Sequence, residues 1–346
     1  MLTTLKRLIK QSWGYRLYRE KKITRSEYKR FLHEAKQHFA ADHPEHGSLA
    51  EYEYCLRKYR VTYSEYMHQY RFWQLTDAQR EAYVSVSEMQ RFYRRMIKPE
   101  IRRLMHNKQH FLRAYSNYIH REWLYTPDCS DTQVNDLIAR HRVIAKPTDG
   151  SRGDGIFFIE RGAQPDESTL REWKAKKMLL EECISGHPAI EAFNPDSLNT
   201  IRVFTFRSGD NVLIYTAAIR FGRKGHHVDN AHAGGIRALI DPQTGIVDEG
   251  VDTDGHRYTV HPDSGLQIKG FVIPEWRKIT DTCRQACIQT EGLIVCGWDV
   301  CVRQDGQIEL IEGNHAPDID GVQFSKQTGI RAELNAIFSD FYNTTL

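Results

Sequence analysis

No stretch of this 346-residue chain approaches the roughly 18 consecutive apolar residues that a membrane-spanning helix needs, so no transmembrane segment is expected. The N-terminus, MLTTLKRLIKQSWGYRLYREKK, is basic but has no sustained apolar core followed by a small-residue cleavage site. That argues against a secretory signal and for a cytoplasmic protein. The seven cysteines (Cys55, Cys129, Cys183, Cys283, Cys287, Cys296, Cys301) form no CxxC pair and no Cys/His zinc spacing, and are read as reduced, mostly packing residues. Proline and glycine are almost missing from the first hundred residues, which hold only Pro44, Pro99, Gly14 and Gly47. With so few breakers and with apolar residues at helical spacing, this region is expected to be helical.

What is present is an ordinary globular composition, 40% hydrophobic and 27% charged, on a chain long enough for two to three structural units. The formal net charge of +3 hides an asymmetry. Residues 1 to 125 carry 25 Lys and Arg against 13 Asp and Glu, so the remainder is acidic. Such a basic block suits an anionic membrane surface, a nucleic acid or an anionic glycan, although no nucleic-acid partner is expected; solvated helix faces, or docking on the acidic part, are the plainer alternative. Peripheral contact with the inner membrane surface therefore stands beside a purely cytoplasmic location.

Tyr59, Tyr63, Tyr66 and Tyr70 recur at the spacing of one helix face and are expected to form a core stripe. Thr76 and Asp77 have the character of a helix start, with a helical pattern running on toward Arg103. From about Val143 the texture turns to α+β. VIAKP, GIFFIE, KMLLEE, TIRVFTF, VLIYTAAIRF, GIRALID, LIVCGWDVCV and QIELIEG are strand candidates, and Pro274 to Thr290 is a helix candidate with Trp276, Ile279, Cys283 and Cys287 on one face.

The most informative segment is CGWDVCVRQDGQIELIEGN. If Asp305 and Gly306 form a two-residue hairpin turn, Gln304 faces Gln307 and, counting outward, Asp299 faces Glu312. Opposed carboxylates repel. A divalent cation bridging them, with Asn314 adding a neutral oxygen, would compensate, and oxygen-only donors favour Mg²⁺ or Mn²⁺. A solvated hairpin whose acids face water or pair with arginine is equally compatible. VIAKPTDGSRGDGIFFIE sets Lys146 at a strand end before a loop with Gly150, Ser151, Gly153 and Gly155, a composition that lets backbone N–H groups approach phosphate. It is not a Walker loop, since no GK[ST] and no helix follow. In LLEECISGHP, backbone groups around Glu181, Glu182 and Ile184 are placed to read an adenine edge, the alternative being an exposed strand end. Arg202 and Arg220 lie within strands and offer bidentate donors to a phosphoryl or acyl-phosphate group, followed by a loop with Asp229, Asn230, Gly234 and Gly235. His226, His227 and His232 match no common metal spacing.

In combination and in order, these segments resemble the ATP-grasp superfamily over about residues 106 to 325. Lys108 in HNKQHF resembles that family's first nucleotide lysine, Lys146 with its glycine loop the second lysine and phosphate lid, and LLEECI the adenine hinge. Asp299, Glu312 and Asn314 match the metal triad in type and spacing. Arg202, Arg220 and DNAHAGG, which contains Asn230, resemble glutathione synthetase and the ribosomal-protein glutamate ligases. The SEYMHQYRFWQLTDAQREAYVS, NTIRVFTF and GWDVCV blocks are most similar to the sugar-transfer-associated ATP-grasp group.

The resemblance implies an α+β ATP-grasp fold of two lobes behind a helical region, divided as 1–105, 106–185 and 186–346. It implies ATP and Mg²⁺ (or Mn²⁺) as cofactors, with Lys146, Arg202 and Arg220 as catalytic residues. The reaction implied is carboxylate–amine ligation through an acyl phosphate, on a carboxylate substrate and an amine acceptor that the association with surface polysaccharide makes sugar-linked. A hydroxyl-directed kinase on the same scaffold and a nucleotide-binding scaffold of a polysaccharide-assembly complex are the competing expectations. The sequence departs from the best-studied ligases in showing no recognisable N-terminal substrate-binding α/β domain.

Overall fold

A computed structural model describes residues 25–41, 47–148, 155–225 and 234–346. The chain divides into two compact units, Ile97–Pro317 and a second formed by Met1–Met96 together with Asp318–Leu346. The helical unit thus ends before residue 105 and takes back the C-terminal segment, which differs from the division expected above.

In the helical unit the four tyrosines are all buried, but they do not share one continuous helix. The Leu49–Tyr59 helix, capped by Ser48, stops at Arg60 in the left-handed region (φ 62°), and the chain resumes as a π-helical turn over Glu65–Gln69. The interruption has a side-chain cause. Glu65, buried in the π turn, accepts hydrogen bonds from the backbone N–H of Thr62 (2.7 Å) and of Val86 (2.8 Å). Thr76 does start a helix, with a capping box to Gln79. Helix does not run unbroken toward Arg103: it comes in three pieces, Asp77–Glu81, Val86–Met96 and Pro99–His106, the last belonging to the other unit. The Asp320–Lys326 and Arg331–Tyr342 helices complete the helical unit. Gln323 Oε1 accepts from Val84 N–H (2.9 Å), and Phe338 stacks on Phe92 with ring centroids 4.1 Å apart.

The Ile97–Pro317 unit is built on two antiparallel sheets. The smaller contains β1 (Trp123–Tyr125), β2 (Val143–Pro147), β3 (Phe157–Ile159) and β4 (Met178–Glu182) in the order β1-β4-β2-β3. Val134, Leu137, Ile138, Leu170 and Trp173, from two helices, join Val143, Ala145, Met178 and Leu180 in its core. The larger sheet contains β5 (Ile201–Ser208), β6 (Asn211–Phe221), β7 (Ile236–Ile240), β8 (Val247–Val251), β9 (Arg257–Tyr258), β10 (Val295–Val302) and β11 (Ile308–Asn314), ordered β11-β10-β5-β6-β7-β8-β9. The Trp276–Gln289 helix covers β5 and β6, burying Trp276, Ile279, Cys283 and Cys287 as its spacing predicts. All seven cysteines are free and five are buried. Among the described residues no helix is long and apolar enough to cross a membrane.

Candidate active site

The hairpin of β10 and β11 does bring Asp299 opposite Glu312, by a route the turn count did not foresee. Asp305 and Gly306 are not a two-residue turn. Gly306 N–H reaches Arg303 O (2.9 Å) and Arg303 N–H reaches Gln307 O (2.8 Å), closing a three-residue loop with Gly306 at positive φ. That loop pairs Val302 with Ile308, one residue out of the expected register. A bulge then restores it: Val300 faces Leu310 and Asp299 faces Glu312, skipping Ile311.

Asp299 is buried, and the charge beside it comes from the protein. Arg202, its cross-strand neighbour on β5, donates through Nε to Oδ1 and through Nη2 to Oδ2 (2.8 Å), and Arg220 Nη2 lies 2.9 Å from Oδ2. Thr200 Oγ1 accepts from Arg220 Nη2 at 2.6 Å and from Nε at 3.1 Å. Burial would raise the Asp299 pKa, but the two guanidinium charges outweigh it and hold the carboxyl well below the usual range. Glu312 keeps solvent access. Loss of surrounding water, then the Asp299 charge, nonetheless push its pKa up, against the pull of Arg202 and Lys146. Asn314 Oδ1 accepts from Ala316 N–H (3.0 Å) and retains a second lone pair. An under-neutralised carboxylate beside a paired one, plus an amide oxygen, is a donor set that fits Mg²⁺.

Lys146 stands near the end of β2 with Nζ 2.6 Å from Glu181 Oε1. Lys108 opens the Lys108–Ala114 helix, capped by Asn107, and its backbone N–H binds Thr148 O (3.1 Å), just past the end of β2. Gly155, at φ +74°, ends the glycine loop, where an added Cβ would lie 3.0 Å from Pro147 Cγ. Gly150, Ser151, Gly153, Asp229, Asn230 and the three loop histidines lie outside the described residues.

Glu181 is not an exposed strand end. It is 2% exposed, and although burial raises its pKa, the Lys146 and Arg121 charges prevail and lower it to about 2. Glu182 is partly exposed, its backbone N–H bonded to Glu122 O (2.9 Å), and Ile184 follows two residues beyond β4. Three residues of this region escaped the sequence reading: Thr200, Arg121 and Glu309. Glu309 carried a legible signal, an acid between Ile308 and Leu310 in an apolar strand, which demands a buried cation.

Two antiparallel sheets, one carrying Lys146 and the other the Asp299–Glu312 pair, define an ATP-grasp fold. The Sugar-transfer associated ATP-grasp family matches residues 88–339, and the chain belongs to that family. No curated protein matches the chain. Among solved structures, the ATP-grasp ligase PsnB with its minimal precursor is similar at 13% identity and a TM-score of 0.42, over 69% of this chain and 62% of that one. An ADP complex of PurK, an N5-carboxyaminoimidazole ribonucleotide synthetase, is similar at 14% identity and a TM-score of 0.39, over 66% of this chain and 51% of that one. An L-amino acid ligase from Bacillus licheniformis is similar at 12% and 0.40, over 66% and 44%. The chain thus spans under two thirds of each.

Proposed function

We propose that the protein is an ATP-dependent ligase that activates a substrate carboxylate as an acyl phosphate and transfers the acyl group to an amine. The carboxylate oxygen attacks the γ-phosphorus and ADP leaves. The amine then attacks the acyl carbon, and phosphate departs carrying one oxygen of the original carboxylate. Lys108 and Lys146 neutralise nucleotide phosphates, the glycine loop from Gly150 to Gly155 covers them, and the backbone from Glu181 to Ile184 meets the adenine. Asn230 is assigned to the same phosphates. Asp299, Glu312 and Asn314 would hold Mg²⁺, with Mn²⁺ as an alternative, which neutralises charge on phosphate oxygens. Arg202 and Arg220 stabilise the transferring group.

The observation that carries this reading is the chain of contacts tying Lys146, on the smaller sheet, to β11 of the larger, which carries Glu312: Lys146 Nζ lies 2.6 Å from Glu181 Oε1, and Arg121 binds both Glu181 Oε2 (2.6 Å) and Leu310 O (2.8 Å). It supports one shared polyanion site between a lysine and a carboxylate–arginine cluster. The family description supports a sugar-linked carboxylate or amine as substrate.

The reading is tested with MgATP, mixed amino acids and a cell extract whose carboxylates carry ¹⁸O. Isotope in the released phosphate is the expected result. ADP formation with phosphate retained on a product would replace the ligase by a hydroxyl kinase, and MgATP binding without turnover would favour the scaffold.

A further inference from the structure

Arg121 lies two residues before β1 and is nowhere near Lys146 or Glu312 in sequence, yet its guanidinium connects both. Through Nε it binds Glu181 Oε2 (2.6 Å), and Glu181 Oε1 lies 2.6 Å from Lys146 Nζ. Through Nη1 it binds Glu309 Oε1 (2.6 Å) and Leu310 O (2.8 Å), and through Nη2 it binds Ile311 O (3.3 Å). Glu309 is fixed in turn by the backbone N–H of His120 (2.9 and 3.1 Å) and by Arg303 Nη1 (3.3 Å). Arg121, Glu181 and Glu309 have side chains 3%, 2% and 0% exposed, so their charges are answered by protein partners, Lys146 and Arg303 among them, rather than by water.

Ile311 is the residue the β10–β11 register skips. Because side chains alternate faces along a strand, that one extra residue turns Glu312 to the face of Asp299. Without it, Ile311 would oppose Asp299 and Glu312 would point to the other face. β11 is also the edge of its sheet, so Leu310 O and Ile311 O have no further strand to bind. One guanidinium binds both carbonyls.

We propose that Arg121 is a positioning residue that co-registers the two halves of the nucleotide site. It orients Lys146 through Glu181, and it aims Glu312 at Asp299 by holding the Ile311 bulge. Lysine cannot replace it, since a single ammonium lacks the planar fork that serves two carboxylates and two carbonyls at once.

This inference rests on the nucleotide-site reading, and the test separates the two. ADP affinity is measured by calorimetry with and without Mg²⁺ for the unaltered protein, Arg121→Lys, Lys146→Ala and the double variant. Arg121→Lys is expected to weaken Mg²⁺-free ADP binding about tenfold, the loss of one charge-assisted contact. In the Lys146→Ala background that loss should shrink to roughly twofold or less, because the two residues act in one chain. The gain in affinity that Mg²⁺ confers should also shrink in Arg121→Lys, a change that general loosening of the fold would not produce. Should Arg121→Lys fail to fold, Glu181→Gln cuts only the lysine arm. It should lose Mg²⁺-free affinity and keep the Mg²⁺ gain, and the reverse pattern overturns the proposal. Fully multiplicative losses with an unchanged Mg²⁺ gain overturn the role of Arg121 alone. No ADP binding by the unaltered protein overturns the nucleotide site and this inference with it.

Discussion

Glu65 in the helical unit and Glu181 in the sheet unit are 1% and 2% exposed, and their carboxyl groups shift in opposite directions. At Glu65 burial dominates, and the N–H groups of Thr62 and Val86 only partly offset it, so the pKa rises to about 7. At Glu181 burial acts the same way, but Lys146 and Arg121 reverse it and the pKa falls to about 2. The lesson is that backbone dipoles can hold a buried carboxyl in place without keeping it charged, whereas two full cations can do both. One acid is built into a structural joint, the other into a charged site.

Removing one of the two cations should weaken that reversal. Arg121→Met leaves Glu181 and Glu309 buried beside an apolar side chain, and is expected to cost about 3–5 kcal/mol, read by urea unfolding. Lys146→Ala and Glu312→Ala are expected to slow ATP turnover on the order of 10²–10³-fold; Lys146→Ala, which leaves buried Glu181 with Arg121 alone, should also lower the urea midpoint, but by less than Arg121→Met. Near-normal turnover in either would detach that residue from the site.

The two glutamates should also divide the pH profile. Glu65 has a folded pKa above its ordinary value of 4.5, so between about 4.5 and 7 the folded protein keeps a proton the unfolded chain has released. Stability should therefore fall as pH rises through that window, by roughly 3 kcal/mol in total. Glu181 has a folded pKa below 4.5, so its contribution is fully present above pH 4.5 and lost as pH falls toward about 2. Glu65→Gln should flatten the upper window and Glu181→Gln the lower one, and an unchanged slope in either refutes that assignment. The smallest effect concerns an exposed helix cap. Thr76→Ala removes one half of a capping box and should cost about 1 kcal/mol, with no change in pH dependence.

Much of the sheet unit was legible because its strands are apolar and bounded by turn residues. All eight strand candidates fall on observed strands, and the Trp276–Gln289 helix shows its spacing directly. β1, β8 and β9 were missed: β1 and β9 are only three and two residues long, and β8 is interrupted by Asp248, Glu249 and Gly250. The tyrosine stripe was right about burial and wrong about continuity, because periodicity does not register a side chain that takes over backbone hydrogen bonds, as Glu65 does. At the site, the residue types were readable and arginine was a candidate partner for the acids, but that Arg202 and Arg220 both pair with Asp299 was not, since it joins strands β5, β6 and β10.

By itself the sequence determined that Asp299 and Glu312 occupy the two arms of one hairpin, since the apolar runs and Asp305-Gly306 between them permit little else. Whether the two acids share a face was decided elsewhere. The loop holds one residue more than the turn count allowed, the bulge at Ile311 cancels the slip, and the carbonyl of that residue is bound by Arg121, 190 positions away in the chain. A strand's register is set by which hydrogen bonds its backbone can satisfy, and at a sheet edge the donor comes from whatever the tertiary fold packs there.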